Sequence, residues 1–284
     1  MSLSARVAVE LMSLGNARIF AASHVPQSPV ASVVLCHGIG EHSGRYQRFI
    51  EQLTAHRIAS VCFDLRGHGR SSGARGHVDS FADYVADLTS VIDHFTQQLP
   101  DLPRFLFGHS MGALVAVEYL LAHSERCNAR GLLLSSPGLL STVPVPRYKA
   151  LISSAFLPIL PRFRFRTGIR PWHLSADPRA HIALLADPHT HGRVSLRWHA
   201  EYQQAAANCM ARAHEIRLPT YVCVGEADPV VSPEGARRFV EAVSHDDKTL
   251  CVHAGLLHEP LNEATGERVG AAMVEWILAR SSVL

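Results

Sequence analysis

Residues 104–121 read RFLFGHSMGALVAVEYLL, and this stretch decides the predicted fold. An apolar, strand-like run ends at Gly108, and a helical pattern begins after Gly112. The two glycines flank Ser110 closely enough to allow a sharp strand-to-helix turn, which would hold the hydroxyl clear of the backbone at a helix N-terminus. The pattern therefore predicts a nucleophile elbow. The alternative is a serine that caps an ordinary helix start, but the flanking strand and helix favour the elbow.

The alternation of strand and helix patterns continues on both sides of the elbow. Short apolar runs predict strands at 32–36, 58–63, 104–107, 131–134, 220–224 and 249–252, and helical spacing predicts helices at 45–56, 81–99, 233–243 and 264–279. A hairpin is predicted at 6–14 and 17–25, around Gly15-Asn16. Continuous apolar runs are typical of strands buried on both faces. The predicted fold class is thus α/β, with a mostly parallel central sheet and helices on both faces.

The alternation of strand and helix patterns stops between residues 139 and 208, and this stretch is too long for a structureless loop. We expect an α/β core at 1–138 and 209–284 and an inserted helical lid at 139–208. No acidic residue occurs between Arg126 and Ala176. Six basic residues surround the apolar stretch 150–160: Arg147, Lys149, Arg162, Arg164, Arg166 and Arg170. The pattern is typical of a surface that contacts lipids, or of a lid helix packed on the core with a solvated basic rim. Both interpretations remain open.

Composition gives little support to two classes of function, nucleic-acid binding and metal binding. The 284-residue chain has a formal net charge of +2, so its charge gives no reason to expect a nucleic-acid partner. Its 18 histidines raise the question of a metal site. However, the tight pairs, such as His189 with His191 and His253 with His258, lack a helical His-Glu-x-x-His arrangement or a neighbouring cysteine pair. We therefore predict neither a metal nor a cofactor.

The cysteines and the N-terminal region indicate the compartment. The six cysteines are scattered, mostly within apolar strand-like runs, so we expect reduced thiols. Residues 1–25 contain no uninterrupted apolar segment after a basic start, so no signal peptide is predicted. No apolar stretch approaches a membrane-spanning length. The expected location is the cytoplasm, and peripheral contact with lipid surfaces through the lid stays open.

The partners of Ser110 are expected at later strand ends. A serine hydroxyl is a poor nucleophile until a histidine accepts its proton and a carboxylate orients that histidine. In an α/β-hydrolase the acid precedes the histidine in the chain. Asp228 follows the strand at 220–224, and His258 follows the strand at 249–252. We predict Ser110 as the nucleophile, Asp228 as the orienting acid and His258 as the general base.

Three nearby residues are weaker candidates for these roles. Glu226 shares the turn with Asp228, but Asp228 lies further beyond the strand, where a loop can aim it inward. His253 still belongs to its strand, so we expect it to pack or to meet solvent. His109 is adjacent to Ser110, and its side chain should point away from that of Ser110. We predict a structural role for His109.

Acyl transfer also needs hydrogen-bond donors for the developing oxyanion, usually two backbone N–H groups. Met111 directly follows the nucleophile and supplies one by position. The second is expected from the glycine-bearing loop His37-Gly-Ile-Gly40 after the first buried strand, and we nominate the N–H of Ile39. The alternative for this loop is a plain tight turn.

Six segments together resemble the monoacylglycerol lipase and lysophospholipase group of α/β-hydrolases. They are HGIGEHSGRY at 37–46, DLRGHGRS at 64–71, GHSMG at 108–112, SSP at 135–137, GEADP at 225–229 and HE at 258–259. The resemblance implies an α/β-hydrolase fold with a serine triad and a mobile, apolar cap over an acyl-chain tunnel. It also implies a single-chain glycerol ester as substrate. Ala113 departs from the second glycine of many members, which should matter little within a helix.

The expected function is a serine carboxylic ester hydrolase that releases a fatty acid from monoacylglycerol-type lipid esters through an acyl-enzyme. A lysophospholipase or a broad-specificity carboxylesterase is the alternative, because the triad does not encode the alcohol. A non-catalytic ligand receptor on the same scaffold is a different class, and such receptors commonly lack a triad member. Arg45, beside the oxyanion loop, is expected either to approach the alcohol end of the substrate or to form an ion pair with Glu41 or another acid. The oligomeric state does not follow from the sequence.

Overall fold

A single eight-stranded sheet organises the chain. The computed structural model describes residues 5–99, 101–123, 128–142 and 156–281. Its strands are Ala5–Ser13 (β1), Ala17–Val25 (β2), Ala31–Cys36 (β3), Ile58–Phe63 (β4), Arg104–His109 (β5), Ala129–Ser135 (β6), Arg164–Arg166 (β7), Arg193–Ser195 (β8), Thr220–Gly225 (β9) and Lys248–His253 (β10). The sheet order is β1-β2-β4-β3-β5-β6-β9-β10, and β7 pairs with β8 in a separate two-stranded ribbon.

The predicted opening hairpin and parallel sheet are confirmed. Strands β1 and β2 pair antiparallel, with Ala5 opposite Val25 and Ser13 opposite Ala17. Strand β2 is also antiparallel to β4, whereas the remaining pairings of the eight-stranded sheet, β4-β3-β5-β6-β9-β10, are all parallel. Strands β3, β4, β5 and β9 are buried along their whole length. This burial explains why they read as continuous apolar runs.

Helices cover both faces of the sheet. They are Gln47–Ala55 (α1), Ala82–Gln98 (α2), Met111–Ala122 (α3), Pro171–Leu174 (α4), Pro178–Ala186 (α5), Leu196–Ala211 (α6), Pro233–Ala242 (α7) and Gly266–Ser281 (α8). Successive side chains of β3 point to opposite faces. Val34 packs into the cluster that includes α2, α3 and α7, whereas Leu35 packs into the cluster that includes α1 and α8. The architecture is the predicted α/β-hydrolase fold.

One predicted helix begins later than its apolar spacing suggests. The segment predicted as a helix from residue 45 starts with a 3₁₀ turn at Ser43–Tyr46, and α1 begins at Gln47. The His42 imidazole accepts a hydrogen bond from the Gly44 N–H at 3.2 Å and caps this turn. A tighter turn at a helix start leaves the apolar spacing almost unchanged, so the pattern does not show it.

Part of the predicted lid packs firmly on the core. Residues 143–155, with Arg147, Lys149 and most of the apolar stretch 150–160, lie outside the described residues. Helix α6 runs through the predicted boundary at residue 208 and buries Trp198 and Cys209. The Tyr202 hydroxyl donates to the Gly138 carbonyl at 2.8 Å. The division into a core and a lid stays a prediction.

Among the described residues the cysteines are free thiols, and all but Cys251 are buried; Cys127 lies outside these residues. Within the same ranges, no helix has both the length and the apolar character needed to cross a membrane.

Candidate active site

Ser110 occupies a strained turn between β5 and α3. Its backbone has φ 51° and ψ −114°, a positive φ that a non-glycine residue adopts only at a cost of about 1–3 kcal/mol. A Cβ on Gly108 would lie 2.4 Å from the Gly112 carbonyl oxygen, and a Cβ on Gly112 would lie 2.2 Å from the Cys36 carbonyl oxygen. Both positions therefore require glycine. The predicted elbow is confirmed, with strand, turn and helix in their expected places.

The structure brings together the three side chains predicted as a triad. The distance from His258 Nε2 to Ser110 Oγ is 3.0 Å. The distance from His258 Nδ1 to Asp228 Oδ2 is 2.8 Å. All three residues are buried. Because a carboxylate only accepts hydrogen bonds, Nδ1 carries the proton, and Nε2 presents its lone pair to the serine hydroxyl.

The remaining oxygen of Asp228 is also engaged. Its Oδ1 accepts hydrogen bonds from the backbone N–H groups of Val230 at 2.7 Å and Val231 at 3.0 Å. These bonds fix the carboxylate plane and leave Oδ2 for His258. Glu226, the weaker candidate from the same turn, is exposed to solvent, and the half-buried His253 belongs to β10. The geometry thus favours Asp228 and His258 over their neighbours.

Two backbone N–H groups are the candidates for an oxyanion site. Ile39 lines the same cavity as Ser110, and Met111 is the first residue of α3. Neither N–H has a hydrogen-bond acceptor among the residues that the structure describes. Ile39 lies on a tight loop, where a Cβ on the preceding Gly38 would come within 3.2 Å of the Ser110 Cβ. Assignment of Ile39 and Met111 as oxyanion donors is consistent with this geometry and stays a prediction.

A buried carboxylate holds the oxyanion loop in place. Glu41 Oε1 accepts hydrogen bonds from the Gly38 N–H at 2.6 Å and from the Tyr46 hydroxyl at 2.7 Å. Burial alone would raise the pKa of Glu41, but His109, which is protonated in the acid range where Glu41 titrates, and the Arg45 guanidinium act against it and lower the pKa to about 2. Glu41 is therefore an ionised acceptor at neutral pH, and Gly38 cannot rotate its N–H away without losing this partner.

Arg45 forms the ion pair that the sequence left as the alternative to substrate contact. Its Nε donates to Glu41 Oε2 at 3.2 Å, and its Nη2 donates to Glu259 Oε2 at 2.5 Å. The Arg45 side chain is only 9% exposed. Glu259 directly follows His258, so one guanidinium joins the oxyanion loop to the loop of the base. Both carboxylates already accept hydrogen bonds from the guanidinium of Arg45. A direct contact between Arg45 and a substrate stays a prediction.

His109 lies closer to the reacting groups than sequence reasoning expected. Its ring centroid is 5.0 Å from that of His258, and it lines the cavity with Ser110. The positive φ of Ser110 breaks the alternation of the strand, so that both residues border the cavity. His109 Nδ1 is 3.2 Å from Ser135 Oγ, and burial lowers the pKa of His109. A neutral imidazole beside His258 avoids a repulsive charge when His258 is protonated.

These groups face a cavity of about 610 Å³. Its lining combines Ser110 and His258 with apolar side chains from α4 and α5, among them Leu174, Leu184 and Leu185. It also includes polar and charged groups from the ribbon of β7 and β8. A volume of this order accommodates a small organic substrate. The site therefore has a nucleophile, a base and an oriented acid at the wall of an amphipathic cavity.

Comparison with known proteins places the chain in a family. A family model described as serine aminopeptidase, S33, matches residues 27–265. The chain belongs to this family. It is accordingly a serine hydrolase, and the assignment of the buried Ser110, His258 and Asp228 as its triad is consistent with their geometry and stays a prediction.

Relatives of this S33 hydrolase include lipid-cleaving enzymes. It is 29% identical over 271 residues to a monoacylglycerol lipase of Mycolicibacterium smegmatis, with 94% of this chain and 95% of that protein covered. It is 31% identical over 247 residues to phospholipase YtpA of Bacillus subtilis, with coverage of 85% and 92%. The crystal structure of a Paleococcus ferrophilus monoacylglycerol lipase is 30% identical, with a TM-score of 0.78 and coverage of 98% and 99%. The S33 hydrolase also spans 27% of a longer abhydrolase domain-containing protein of Dictyostelium discoideum, at 29% identity over 253 residues.

Proposed function

We propose that this S33 hydrolase cleaves the ester bond of single-chain, monoacylglycerol-type lipids and releases a fatty acid. The observation that carries the proposal is the continuous hydrogen-bonded series Ser110, His258 and Asp228 at the wall of a cavity with apolar lining. The similarity to monoacylglycerol lipases over most of both chains supports this class of substrate.

The chemistry follows from the positions of the three side chains. Ser110 Oγ attacks the ester carbonyl carbon while His258 Nε2 takes the hydroxyl proton. Asp228 holds Nδ1–H and stabilises the imidazolium that forms. The N–H groups of Ile39 and Met111 stabilise the negative charge on the carbonyl oxygen. His258 then protonates the departing alcohol, and water activated by the same imidazole releases the fatty acid from Ser110.

The positive φ of Ser110 has a role in this mechanism. It holds Oγ clear of the strand at the start of α3, and in the proposed mechanism the N–H of Met111, the next residue, stabilises the developing oxyanion. Strain at this residue is maintained by the two flanking glycines and by α3 packed over the loop. The attacking atom and an oxyanion donor are therefore preorganised before a substrate arrives.

A phospholipase-type reaction is the second candidate. The chain is similar to phospholipase YtpA, and basic residues contribute to the cavity lining. The triad serves either ester equally, since neither the serine nor its partners contact the distal part of the alcohol.

Activity-based labelling tests the proposal. A fluorophosphonate probe should label the wild-type protein at Ser110, and Ser110→Ala should abolish both labelling and hydrolysis of a monoacylglycerol while the thermal melting temperature stays close to that of the wild type. Labelling of Ser110→Ala at the wild-type rate would refute the assignment. A panel of esters that differ in chain length and headgroup then defines the substrate range.

We further propose that the predicted lid contacts lipid surfaces. Seven large apolar side chains between residues 156 and 185 are exposed to solvent, and the most exposed are Ile159, Trp172, Ile182 and Leu185. Exposed apolar groups beside basic ones favour an interfacial position. Replacement of Ile159 and Leu185 by serine should reduce flotation with vesicles. Unchanged flotation would contradict this proposal without affecting the ester hydrolase.

A further inference from the structure

Five arginine side chains line the cavity that holds Ser110: Arg75, Arg164, Arg166, Arg170 and Arg193. In the described part of the chain, none of them is within ion-pair distance of a carboxylate; the arginine ion pairs there involve other residues. The adjoining residues 143–155 contain no Asp or Glu in the sequence. The guanidinium groups of Arg75 and Arg164 donate hydrogen bonds to backbone carbonyl oxygens.

The β7 and β8 ribbon concentrates this charge on one face. Arg166 lies directly opposite Arg193, and Arg164 is two residues away on the same side of its strand. Phe165 and Val194 form the intervening pair and point to the other face, where Val194 is buried. Like charges directly opposite each other in a ladder destabilise it. The ribbon therefore carries a local electrostatic cost that a bound anion would remove.

The acidic residues of the cavity do not offset the arginines. Glu41 and Glu259 are both occupied by Arg45. Asp187 Oδ2 lies 2.7 Å from His42 Nε2. Burial alone would raise the pKa of Asp187, but hydrogen bonds from His42 and from the backbone N–H of His189 outweigh it and lower the pKa. Each carboxylate of the lining thus has a cationic or hydrogen-bonding partner of its own. Positive charge from the five arginines therefore remains in excess around the cavity, where Arg75 is half-buried and the other four are exposed to solvent.

Guanidinium groups match one chemical group especially well. Their planar arrays of N–H donors bind phosphate oxygens in pairs, and arginine is favoured wherever phosphate is recognised. The apolar side chains of the same cavity suit an acyl chain. We propose that the five arginines bind the phosphate of a single-chain acylglycerol phosphate, so that the enzyme prefers an anionic lysophospholipid to the corresponding neutral monoacylglycerol. This inference rests on the proposed ester hydrolysis at Ser110.

The reaction itself is unchanged by this preference. The acyl carbon–oxygen bond breaks, water supplies the hydroxyl of the fatty acid, and glycerol phosphate leaves with its phosphorus–oxygen bonds intact. A zwitterionic choline headgroup should be a poorer substrate, because its ammonium group would enter a cavity whose described carboxylates are already paired. The arginines act on the headgroup and not on the ester, so they should affect KM more than kcat.

The test compares two matched esters, 1-octanoylglycerol and 1-octanoylglycerol 3-phosphate, both below their critical micelle concentrations. The wild-type kcat/KM should be at least about 10-fold higher for the phosphate ester, and the preference should weaken at high salt. The double variant Arg166→Gln, Arg193→Gln should lower kcat/KM for the phosphate ester by about 30-fold or more, mainly through KM, and change that for the neutral ester by less than about 3-fold. Arg179→Gln is the matched control, since it removes a guanidinium from the predicted lid that pairs with Asp177 and does not line the cavity.

A thermal-shift measurement separates headgroup binding from folding. Glycerol 3-phosphate should raise the melting temperature of the wild type and not that of the double variant. Without ligand, the double variant should melt at the wild-type temperature or above it, because the repulsive pair is gone.

Three results would overturn the inference. The first is equal hydrolysis of the two esters by the wild type, and the second is an equal loss on both esters in the double variant. The third is a double variant that loses only flotation with anionic vesicles, which would assign the arginines to a membrane surface. Absence of both hydrolysis and fluorophosphonate labelling in the wild type would instead refute the proposed function, and the inference with it.

Discussion

Replacement of Asp228 by asparagine is the sharpest test of how the site works. The asparagine amide has one acceptor and one donor end, so it can satisfy only one of the two sets of contacts that the carboxylate makes. If its NH₂ group faced the Val230 and Val231 N–H groups, two buried donors would lose their acceptor, at a cost of about 2–6 kcal/mol in total. The amide oxygen should therefore stay at the Oδ1 position.

In that orientation the NH₂ group faces His258 Nδ1. The imidazole must then accept a hydrogen bond at Nδ1 and carry its proton on Nε2, where it meets the Ser110 hydroxyl. This tautomer cannot take the serine proton. We expect kcat to fall by about 10⁴-fold, the loss associated with this tautomer in a serine triad, which corresponds to about 5 kcal/mol of activation free energy.

The assay is kcat for a soluble short-chain ester, with the rate of fluorophosphonate labelling as a second readout. Glu226→Gln is the matched control, because Glu226 lies on the same turn but is exposed. It should keep kcat within about 2-fold of the wild type, as a surface substitution away from the reacting groups. A kcat for Asp228→Asn within about 10-fold of the wild type would refute the tautomer argument and the choice of acid.

Two further substitutions test the support of the oxyanion loop. Gly112→Ala places a Cβ 2.2 Å from the Cys36 carbonyl oxygen, so α3 and the loop must separate; we expect a lower melting temperature and a loss of kcat of about 10²-fold, and a kcat equal to that of the wild type would contradict the close contact. Glu41→Gln tests the depressed pKa of Glu41, whose stabilising contribution is complete above its ordinary pKa of 4.5 and is lost as the pH falls through about 2. The variant should melt below the wild type at pH 7, and the difference should shrink on acidification towards pH 2; a difference independent of pH would show that the carboxylate charge is not what stabilises the loop.

The sequence could predict which three side chains the structure brings together, because each occupies a position with a local signature. Ser110 lies between two glycines, and Asp228 and His258 follow apolar runs that only buried strands explain. Since parallel strands bring their carboxyl ends to one edge of the sheet, strand assignment alone places the three residues near each other. The longer distance beyond the strand end then favours Asp228 over Glu226, and the chain order fits an acid that precedes the histidine.

Other parts of the site depend on contacts that no local pattern encodes. The guanidinium of Arg45 reaches Glu259 across 214 positions of sequence. The three-residue strands β7 and β8 are too short to show periodicity. The sequence therefore shows the arginines near residue 165 but not that Arg166 lies opposite Arg193. His109 was expected to point away from Ser110, and only the backbone torsion at the elbow shows why it borders the cavity.

The buried charges around Glu41 are better explained by geometry than by stability. An ion pair of this kind is often no more stabilising than apolar packing of the same volume, because both charges lose their hydration. Apolar side chains, however, would place no directional constraint on the Gly38 N–H. The carboxylate fixes that group at 2.6 Å, and Arg45 connects it to the residue that follows His258. The oxyanion loop comes from the end of β3 and the base from the end of β10, so a shared cation sets the distance between two otherwise separate loops. Because displacement of a catalytic group by about 1 Å can cost about 10²-fold in rate, selection for this network is expected to act through turnover.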